Sequence, residues 1–180
     1  YSGRLWRIFK VNEDGTVALV TEESVIGTAF DKSSVLFHKS SINTWLNGIF
    51  LTTLDSSKTS LLENDATYCR LEIFASEVDD VRTSCPEKRQ VKTTVGLLTL
   101  DDYYKTGGKN GYLNNGTYYF TMTPATTKTM WIINNNGLAL KDYGPNEPYG
   151  IRPVITMNSL NIVSGIGTNE NPYMIKEYKS

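Results

Sequence analysis

Few side chains of the sequence stand in patterns that catalysis uses. The only histidine, His38, has no nucleophile at a suggestive spacing. Asp101 and Asp102 form a carboxylate pair, but adjacent helical residues point in different directions, and both residues suit the first turn of a helix. The sequence also lacks a glycine-rich phosphate loop, a zinc-binding helix and a nucleophile elbow. These observations predict that the protein is not an enzyme.

One loop carries oxygen atoms of the kind that calcium prefers. Asp142, Asn146 and Glu147 offer two carboxylates and an amide within six positions. A cation cage also needs backbone carbonyls at a suitable spacing, which the sequence does not display. The sequence therefore favours a solvated polar loop without a cofactor, and a calcium site remains the alternative.

Aromatic and amide side chains accompany the same loop. Rings beside amides are typical of surfaces that contact sugars or proteins. We therefore expect a binding surface within residues 131–149. The expected contact residues are Asn134, Asn135, Asn136, Tyr143, Asn146 and Tyr149. Ordinary packing is the alternative for the two tyrosines, and a core position is favoured for Trp131.

Arg152 stands directly before a proline in a predicted strand. In a functional interpretation its guanidinium clamps a carboxylate ligand. The sequence favours a structural role, in which a buried or half-buried arginine pairs with an acid and orients the neighbouring loop through its planar fork.

Local patterns in the first half predict a β-hairpin and then a helix. Residues 5–11 and 16–21 are rich in aromatic and β-branched types, and Gly15 suits a turn between them. Residues 40–50 predict a helix capped by Ser41. The face expected to be buried contains Ile42, Trp45, Leu46 and Ile49. A second, shorter helix is predicted near residues 57–63.

The second half predicts one more helix among strands. Residues 95–98 form a short buried strand, after which Thr99 caps a helix that carries Tyr103 and Tyr104. Further strands are expected at residues 117–124, 129–133 and 151–157, followed by a last short strand near residue 175. An Asn-Gly turn closes the hairpin at residues 134–137, residues 143–150 form a loop, and Pro153 predicts an edge or bulge position.

Length and charge narrow the functional classes. A chain of 180 residues suits one domain, here divided into an N-terminal hairpin (1–21), a helical part (40–63), a cysteine-stapled loop (64–94) and a C-terminal half (95–180). The net charge of −1 gives no broad field for binding nucleic acid or an anionic membrane. No apolar run is long enough to cross a bilayer. Because the chain begins at Tyr1 without a methionine, we expect it to be a segment of a longer precursor.

Several motifs resemble a broad family of uncharacterised extracellular domains of Gram-positive bacteria (Firmicutes). The matching residues are 5–8, 95–99, 112–116, 120–124, 150–155 and 165–173. Domains of this family are found on secreted or wall-associated proteins, and some follow a prepilin-type N-terminal helix. The resemblance covers nearly the whole chain and implies a secreted or cell-surface location.

Residues 95–180 are also similar to the C-type-lectin-like fold. In that fold a helix is followed by a strand ending near Thr-Pro, a hairpin, and a final strand with a Gly-x-Arg signature, to which Gly150-Ile151-Arg152 corresponds. The expected architecture is therefore α+β, with an antiparallel or mixed sheet, two helices and long loops. The calcium-binding tripeptide of sugar-binding lectins has no counterpart, since Pro145-Asn146-Glu147-Pro148 differs from it in order and spelling.

The resemblance implies a recognition or adhesion domain that binds a protein or glycan at the cell surface. The alternative is the globular head of a pilin-like structural subunit, whose partners are sister subunits of a filament. Neither interpretation requires nucleic acid or membrane contact by this segment.

The two cysteines yield a prediction of their own. Cys69 and Cys85 lack a CxxC spacing or a nearby histidine, which argues against zinc and favours a disulfide over two unrelated buried thiols. Closing a loop of this size contributes about 3 kcal/mol of stability in the chain-entropy model. We expect thiol-reactive reagents to leave both positions unlabelled in denatured, unreduced protein and to label both after reduction. Labelling of both before reduction contradicts the disulfide.

Overall fold

The N-terminal hairpin that the sequence predicts is present. The computed structural model describes residues 1–69, 90–165, 171 and 173–175. Within it, β1 (Trp6–Val11) pairs antiparallel with β2 (Thr16–Thr21). Gly15 adopts a φ of +82° in the turn, a conformation that glycine adopts without steric cost.

A four-stranded antiparallel sheet grows from this hairpin. β2 pairs on its other side with β11 (Pro153–Asn158), and β11 pairs with β6 (Val95–Leu97). The strand order is β1-β2-β11-β6. The prediction of an edge or bulge position for Pro153 is wrong, because β11 lies inside the sheet and pairs with β2 and β6 without a register shift. Pro153 is tolerated there as the first residue of its strand.

A five-stranded mixed sheet forms the second half of the fold. Its strands are β3 (Ile26–Thr28), β7 (Tyr119–Pro124), β8 (Met130–Ile133), β9 (Ala139–Tyr143) and β10 (Tyr149–Ile151). Their order in the sheet is β3-β10-β7-β8-β9. β10 runs parallel to β7, whereas the other neighbours are antiparallel. Strands β9 and β10 occupy both ends of a segment that the sequence predicts mainly as loop.

Two short ribbons complete the strands of the described residues. β4 (Ala66–Cys69) pairs with β5 (Gln90–Thr93), and β12 (Ile162–Ser164) pairs with β13 (Met174–Ile175). The described residues contain no free cysteine. Cys85 lies outside them, so its pairing with Cys69 stays a prediction.

Two short α-helices accompany the sheets in the described part of the chain, and the predicted α+β class is confirmed at this level. They are α1 (Ser41–Trp45) and α2 (Leu100–Lys105). The second helix predicted near residues 57–63 is only a single 3₁₀ turn, Thr59–Leu61. No helix in the described part of the chain is long and apolar enough to cross a membrane.

The predictions for the first helix need two corrections. The cap is Ser40, whose Oγ accepts a hydrogen bond from the Asn43 N–H. α1 continues into a π-helical turn, Leu46–Phe50. A π-helix has more residues per turn than an α-helix, so the next side chain that faces the core comes one residue later than α-helical spacing predicts. Phe50 is therefore 1% exposed, whereas Ile49 is 63% exposed. The prediction that Ile49 lies in the core is wrong.

Ser41 binds the loop after β3 instead of capping α1. Its N–H and Oγ both donate to Oδ2 of Asp31, while Oδ1 accepts the N–H groups of Ser33 and Ser34. Burial opposes ionisation of Asp31, but these hydrogen bonds lower its pKa to about 2. The carboxylate thus ties the loop after β3 to the start of α1.

The capping prediction for α2 is confirmed. Thr99 Oγ1 accepts the Asp102 N–H at 3.0 Å, and the Asp102 carboxylate accepts from Thr99. Tyr103 is fully buried, and its hydroxyl donates to the Gly137 carbonyl at 2.8 Å. α2 is thereby attached to the turn between β8 and β9.

The two main sheets share one hydrophobic core. Val20 and Val154 of the four-stranded sheet lie in the same cluster as Phe120 and Ile132 of the five-stranded sheet. Tyr68 enters this core from the β4–β5 ribbon, and its hydroxyl donates to the Val154 carbonyl at 3.2 Å. Its ring lies directly over Gly96.

This close approach predicts a size limit at Gly96. A β-carbon at Gly96 would lie 2.6 Å from Cε1 of Tyr68, whereas one at Gly27 would meet no atom within 4 Å. Gly96→Ala should lower the free energy of unfolding by roughly 1–3 kcal/mol through overpacking. The matched control Gly27→Ala should change it by less than about 0.5 kcal/mol. Denaturant titration checks both, and equal effects of the two variants contradict the tight contact.

Candidate functional site

Arg152 lies where the chain passes from one sheet to the other. It separates β10 from β11 and is 1% exposed. Its Nε donates to the Thr21 carbonyl at 2.9 Å, and its Nη1 donates to the Leu113 carbonyl at 2.7 Å. The guanidinium carbon lies 4.8 Å from the centroid of the Tyr119 ring. The fork therefore binds backbone and an aromatic face, as expected of a structural arginine.

The predicted acidic partner of Arg152 is absent from the described residues. No carboxylate there forms an ion pair with it, and its Nη2 has no hydrogen-bond partner. Burial lowers the pKa of Arg152. Two carbonyls and the π-face of Tyr119 take the place of a carboxylate. The prediction of pairing with an acid is wrong, and the buried fork is not presented to solvent as a ligand clamp.

Asn134 builds the turn between β8 and β9. It is 7% exposed, and its Oδ1 accepts the N–H groups of Asn136 and Leu138, both at 2.9 Å. Gly137 completes the turn with a φ of +75°. Asn134 therefore does not offer its amide oxygen to a ligand, whereas Asn135 and Asn136 are exposed at the tip.

The register of β8 and β9 divides the predicted contact residues into two groups. Ile133 pairs with Ala139 beside the turn, and Met130 pairs with Tyr143 at the other end. β9 spans about 13 Å between these pairs at roughly 3.3 Å per residue. The exposed amides at the tip are thus separated from Tyr143 by the length of the strand.

The loop after β9 is held by its own carboxylate. Glu147 Oε1 accepts the Gly144 N–H at 3.0 Å, and Oε2 accepts the Tyr149 hydroxyl at 2.8 Å. Burial and this hydrogen bond raise the pKa of Tyr149. The Pro145 carbonyl accepts the Asp31 N–H at 3.0 Å. Asn146 remains exposed at the bend.

The calcium hypothesis gains no support from this arrangement. Both oxygens of Glu147 accept hydrogen bonds within the loop, and Asp142 is exposed on β9. Within residues 1–69, 90–165, 171 and 173–175, no group of three or more His, Cys, Asp or Glu side chains is arranged to hold a metal ion. A calcium site at Asp142, Asn146 and Glu147 stays a prediction.

Three tyrosines form a partly exposed group, here termed the tyrosine cluster: Tyr118, Tyr143 and Tyr149. The Tyr149 ring lies 5.9 Å from that of Tyr118 in a stacked arrangement and 5.5 Å from that of Tyr143 edge-on. Phe120 supports Tyr149 from the core at 5.3 Å. Tyr118 is 41% exposed. Sequence analysis did not select Tyr118, although strand alternation places it on the face opposite to buried Tyr119.

An open groove of about 560 Å³ lies beside β9. We term it the β9 groove. It is lined by Trp131, Ala139, Leu140, Lys141, Asp142 and Tyr143. Trp131 is 4% exposed, which confirms its predicted core position. Tyr143 belongs to both the groove and the tyrosine cluster, so the two features are continuous.

A second cleft, of about 490 Å³, lies between the β1–β2 turn and the start of β4. Its charged residues are Lys10, Glu13, Asp14, Glu63 and Asp65. Sequence analysis did not identify it, because its acids come from segments about fifty positions apart.

The carboxylates considered for catalysis have structural partners. Asp102 belongs to the capping box of α2, and Asp101 forms an ion pair with Lys105 at 2.7 Å. His38 is exposed on a 3₁₀ turn, Phe37–Lys39. The two aspartates thus point to different partners, as expected for neighbours on one helix.

Comparisons with protein-family models, with curated proteins and with solved structures found no match to this chain.

The buried position of Arg152 predicts a large effect of its removal. Arg152→Ala leaves the Thr21 carbonyl without its donor and creates a cavity, so the free energy of unfolding should fall by about 3–5 kcal/mol. Arg7 provides the control, because it pairs with Glu22 at a half-exposed position. Arg7→Ala should cost about 1 kcal/mol or less. Denaturant titration measures both, and similar losses would show that Arg152 is not an organising contact.

Proposed function

We propose that the protein is an extracellular recognition domain of a bacterial surface protein. It binds a protein or glycan through the β9 groove and the adjoining tyrosine cluster. The observation that carries this proposal is the groove itself. It combines half-buried Leu140 and Tyr143 with exposed Lys141 and Asp142 along one sheet edge.

The composition and size of this surface support recognition. Binding surfaces are enriched in Tyr and Trp, whose rings give a large contact area at low entropic cost. The groove volume of about 560 Å³ falls in the range of ligand pockets, roughly 300–1,000 Å³. Tyr118 and Tyr149 extend the aromatic surface beyond the groove.

The order of elements is compatible with the C-type-lectin-like resemblance. α2 is followed by β7, which ends at Thr123-Pro124, then by the β8–β9 hairpin. Gly150-Ile151-Arg152 spans the end of β10 and the passage to β11. We propose a C-type-lectin-like domain of the Gram-positive surface family on this basis. A secreted or wall-associated location belongs to the same proposal.

We propose a binding function for this protein and not an enzymatic one. Burial raises the pKa of the capping carboxylate Asp102 and of the Tyr119 hydroxyl. Their polar groups bind neighbouring protein atoms, as in the hydrogen bond from Tyr119 to the Leu113 carbonyl at 3.0 Å. Such groups stabilise the fold.

The alternative, a pilin-like subunit, is favoured by a different surface. The segment around the β12–β13 ribbon exposes Leu160 at 82%, Val163 at 56%, Tyr173 at 49% and Met174 at 53%. Apolar exposure concentrated in one segment suits contacts between copies of a subunit.

A binding screen with matched variants tests the proposal. A glycan and host-protein array, run with calcium and with a chelator, should give a saturable hit. Tyr143→Ala should weaken that binding at least tenfold, about 1.4 kcal/mol, because it removes a ring from both the groove and the cluster. Tyr112→Ala is the control, since Tyr112 is 47% exposed and its hydroxyl donates to the Ile8 carbonyl in the other sheet, away from the groove.

The other outcomes separate the remaining interpretations. Binding that is lost in the presence of the chelator supports a calcium site at Asp142, Asn146 and Glu147. Binding that is the same with calcium and with the chelator contradicts that site. A footprint confined to residues 1–21 contradicts the assigned surface. A blank array, together with self-association that Val163→Asp abolishes in sedimentation, supports the filament subunit instead.

A further inference from the structure

The ends of the two main sheets leave four strand edges. An edge strand presents N–H and C=O groups that no neighbouring strand satisfies. In the described part of the chain these edges belong to β1 and β6 in one sheet and to β3 and β9 in the other. They differ in how far other parts of the protein cover them.

Side chains already bind two of the edges. At β6, Asn47 donates to the Val95 carbonyl at 3.0 Å and accepts the Val95 N–H at 2.9 Å, so one amide imitates a neighbouring strand. At β1, the Tyr112 hydroxyl donates to the Ile8 carbonyl at 3.3 Å. β3 contains only three residues.

Of the two edge strands of the five-stranded sheet, β9 is longer than β3, and the described residues leave its outer edge uncovered. It contains five residues, and Lys141 and Asp142 at its centre are exposed. Among the residues that the structure describes, none outside the sheet forms a hydrogen bond with the backbone of Ala139–Tyr143. The β9 groove runs beside this free backbone.

We propose that β9 binds an extended peptide segment of a partner protein by strand addition. The partner's backbone continues the five-stranded sheet, and every second side chain of the peptide enters the β9 groove. This inference rests on the proposed recognition function and specifies its ligand as polypeptide.

The edge favours a peptide because of hydrogen-bond spacing. A β-strand repeats its donors and acceptors about every 6.6–6.8 Å along its length, which matches the free groups of another strand. Strand addition gains affinity from this ladder, and specificity from pockets that accept alternate side chains. The groove supplies such a pocket beside Leu140 and Tyr143.

Local features of β9 favour a short segment over a second copy of the domain. The β8–β9 register shifts between Met130 and Ile132, which marks a bulge. Bulges twist an edge, and an exposed lysine such as Lys141 opposes pairing with an identical edge. Lys141 and Asp142 favour a peptide with opposite charges at the facing positions.

The test uses the full chain and peptides from a phage-displayed library of random 12-residue sequences. The strongest peptide is synthesised unmodified and in two N-methylated forms, in which alternate residues of either phase carry the methyl group. Methylation in one phase should weaken binding at least tenfold, and methylation in the other phase should change it less than threefold. Only one phase directs its N–H groups at β9.

Charge reversal gives an independent readout of location. Lys141→Glu should weaken binding of a peptide that carries an acid at the facing position, and exchange of that acid for lysine should restore it. Lys128→Glu is the control, because Lys128 is exposed in the turn between β7 and β8. Its affinity should match that of the unchanged protein.

Three results would overturn strand addition: no enriched peptide, equal effects of both methylation phases, or insensitivity to Lys141→Glu. If a glycan nevertheless binds in a manner that depends on Tyr143, the recognition function stands and only the peptide inference fails. If neither peptides nor the array ligands bind, both fail.

Discussion

The contact on which the two sheets depend is the buried guanidinium of Arg152. The chain leaves the five-stranded sheet at Ile151 and enters the four-stranded sheet at Pro153. Between them, Arg152 binds the carbonyls of Thr21 and Leu113. Thr21 ends β2, and Leu113 lies in the connection before β7. One side chain thereby joins elements that are far apart in sequence.

A charge buried in this way requires compensation from its surroundings. Burial of an unpaired ion costs several kcal/mol, which explains why the guanidinium faces two carbonyl oxygens and the ring of Tyr119. The Tyr119 hydroxyl donates to the same Leu113 carbonyl. The network depends on the planar fork of arginine, because a lysine ammonium cannot reach both carbonyls with the same fixed geometry.

The position of the candidate site follows from this junction. With Arg152 fixed, β10 pairs in parallel with β7 at Gly150 and Tyr119. β8 and β9 are then added on the far side of β7, so β9 becomes the last strand. The return from β9 to β10 places Tyr143 and Tyr149 against each other. The groove and the tyrosine cluster are thus consequences of strand order.

Sequence patterns predicted the features that depend on neighbouring residues. The turn at Gly15 and the capping box of Thr99 are local, since each is completed within four positions. The helix face was predicted from regular α-helical spacing. This prediction was wrong at Ile49, because the π-helical turn places Phe50 in the core instead.

Features that depend on strand pairing could not be predicted from the sequence. Asn134 and Tyr143 are close in sequence, yet the register of β8 and β9 places them at opposite ends of the hairpin. The prediction of an acidic partner for Arg152 was wrong for a related reason. Its partners are backbone carbonyls, and since every residue has one, no sequence pattern marks them. The hairpin turn before β9 was predicted, but the extent of the strand to Tyr143 was missed, because the mixed pattern Ala-Leu-Lys-Asp-Tyr resembles a polar loop.

Amide hydrogen exchange of the folded chain tests most directly whether β9 is an open edge. β7 and β8 each have neighbours on both sides, so their amides should exchange slowly. We predict that the outward-facing amides of Ala139–Tyr143 exchange much faster than those of β7 and β8, and that the amides bonded to β8 remain protected. Uniformly slow exchange along β9 would show that its edge is already covered, and would contradict its assignment as the recognition surface.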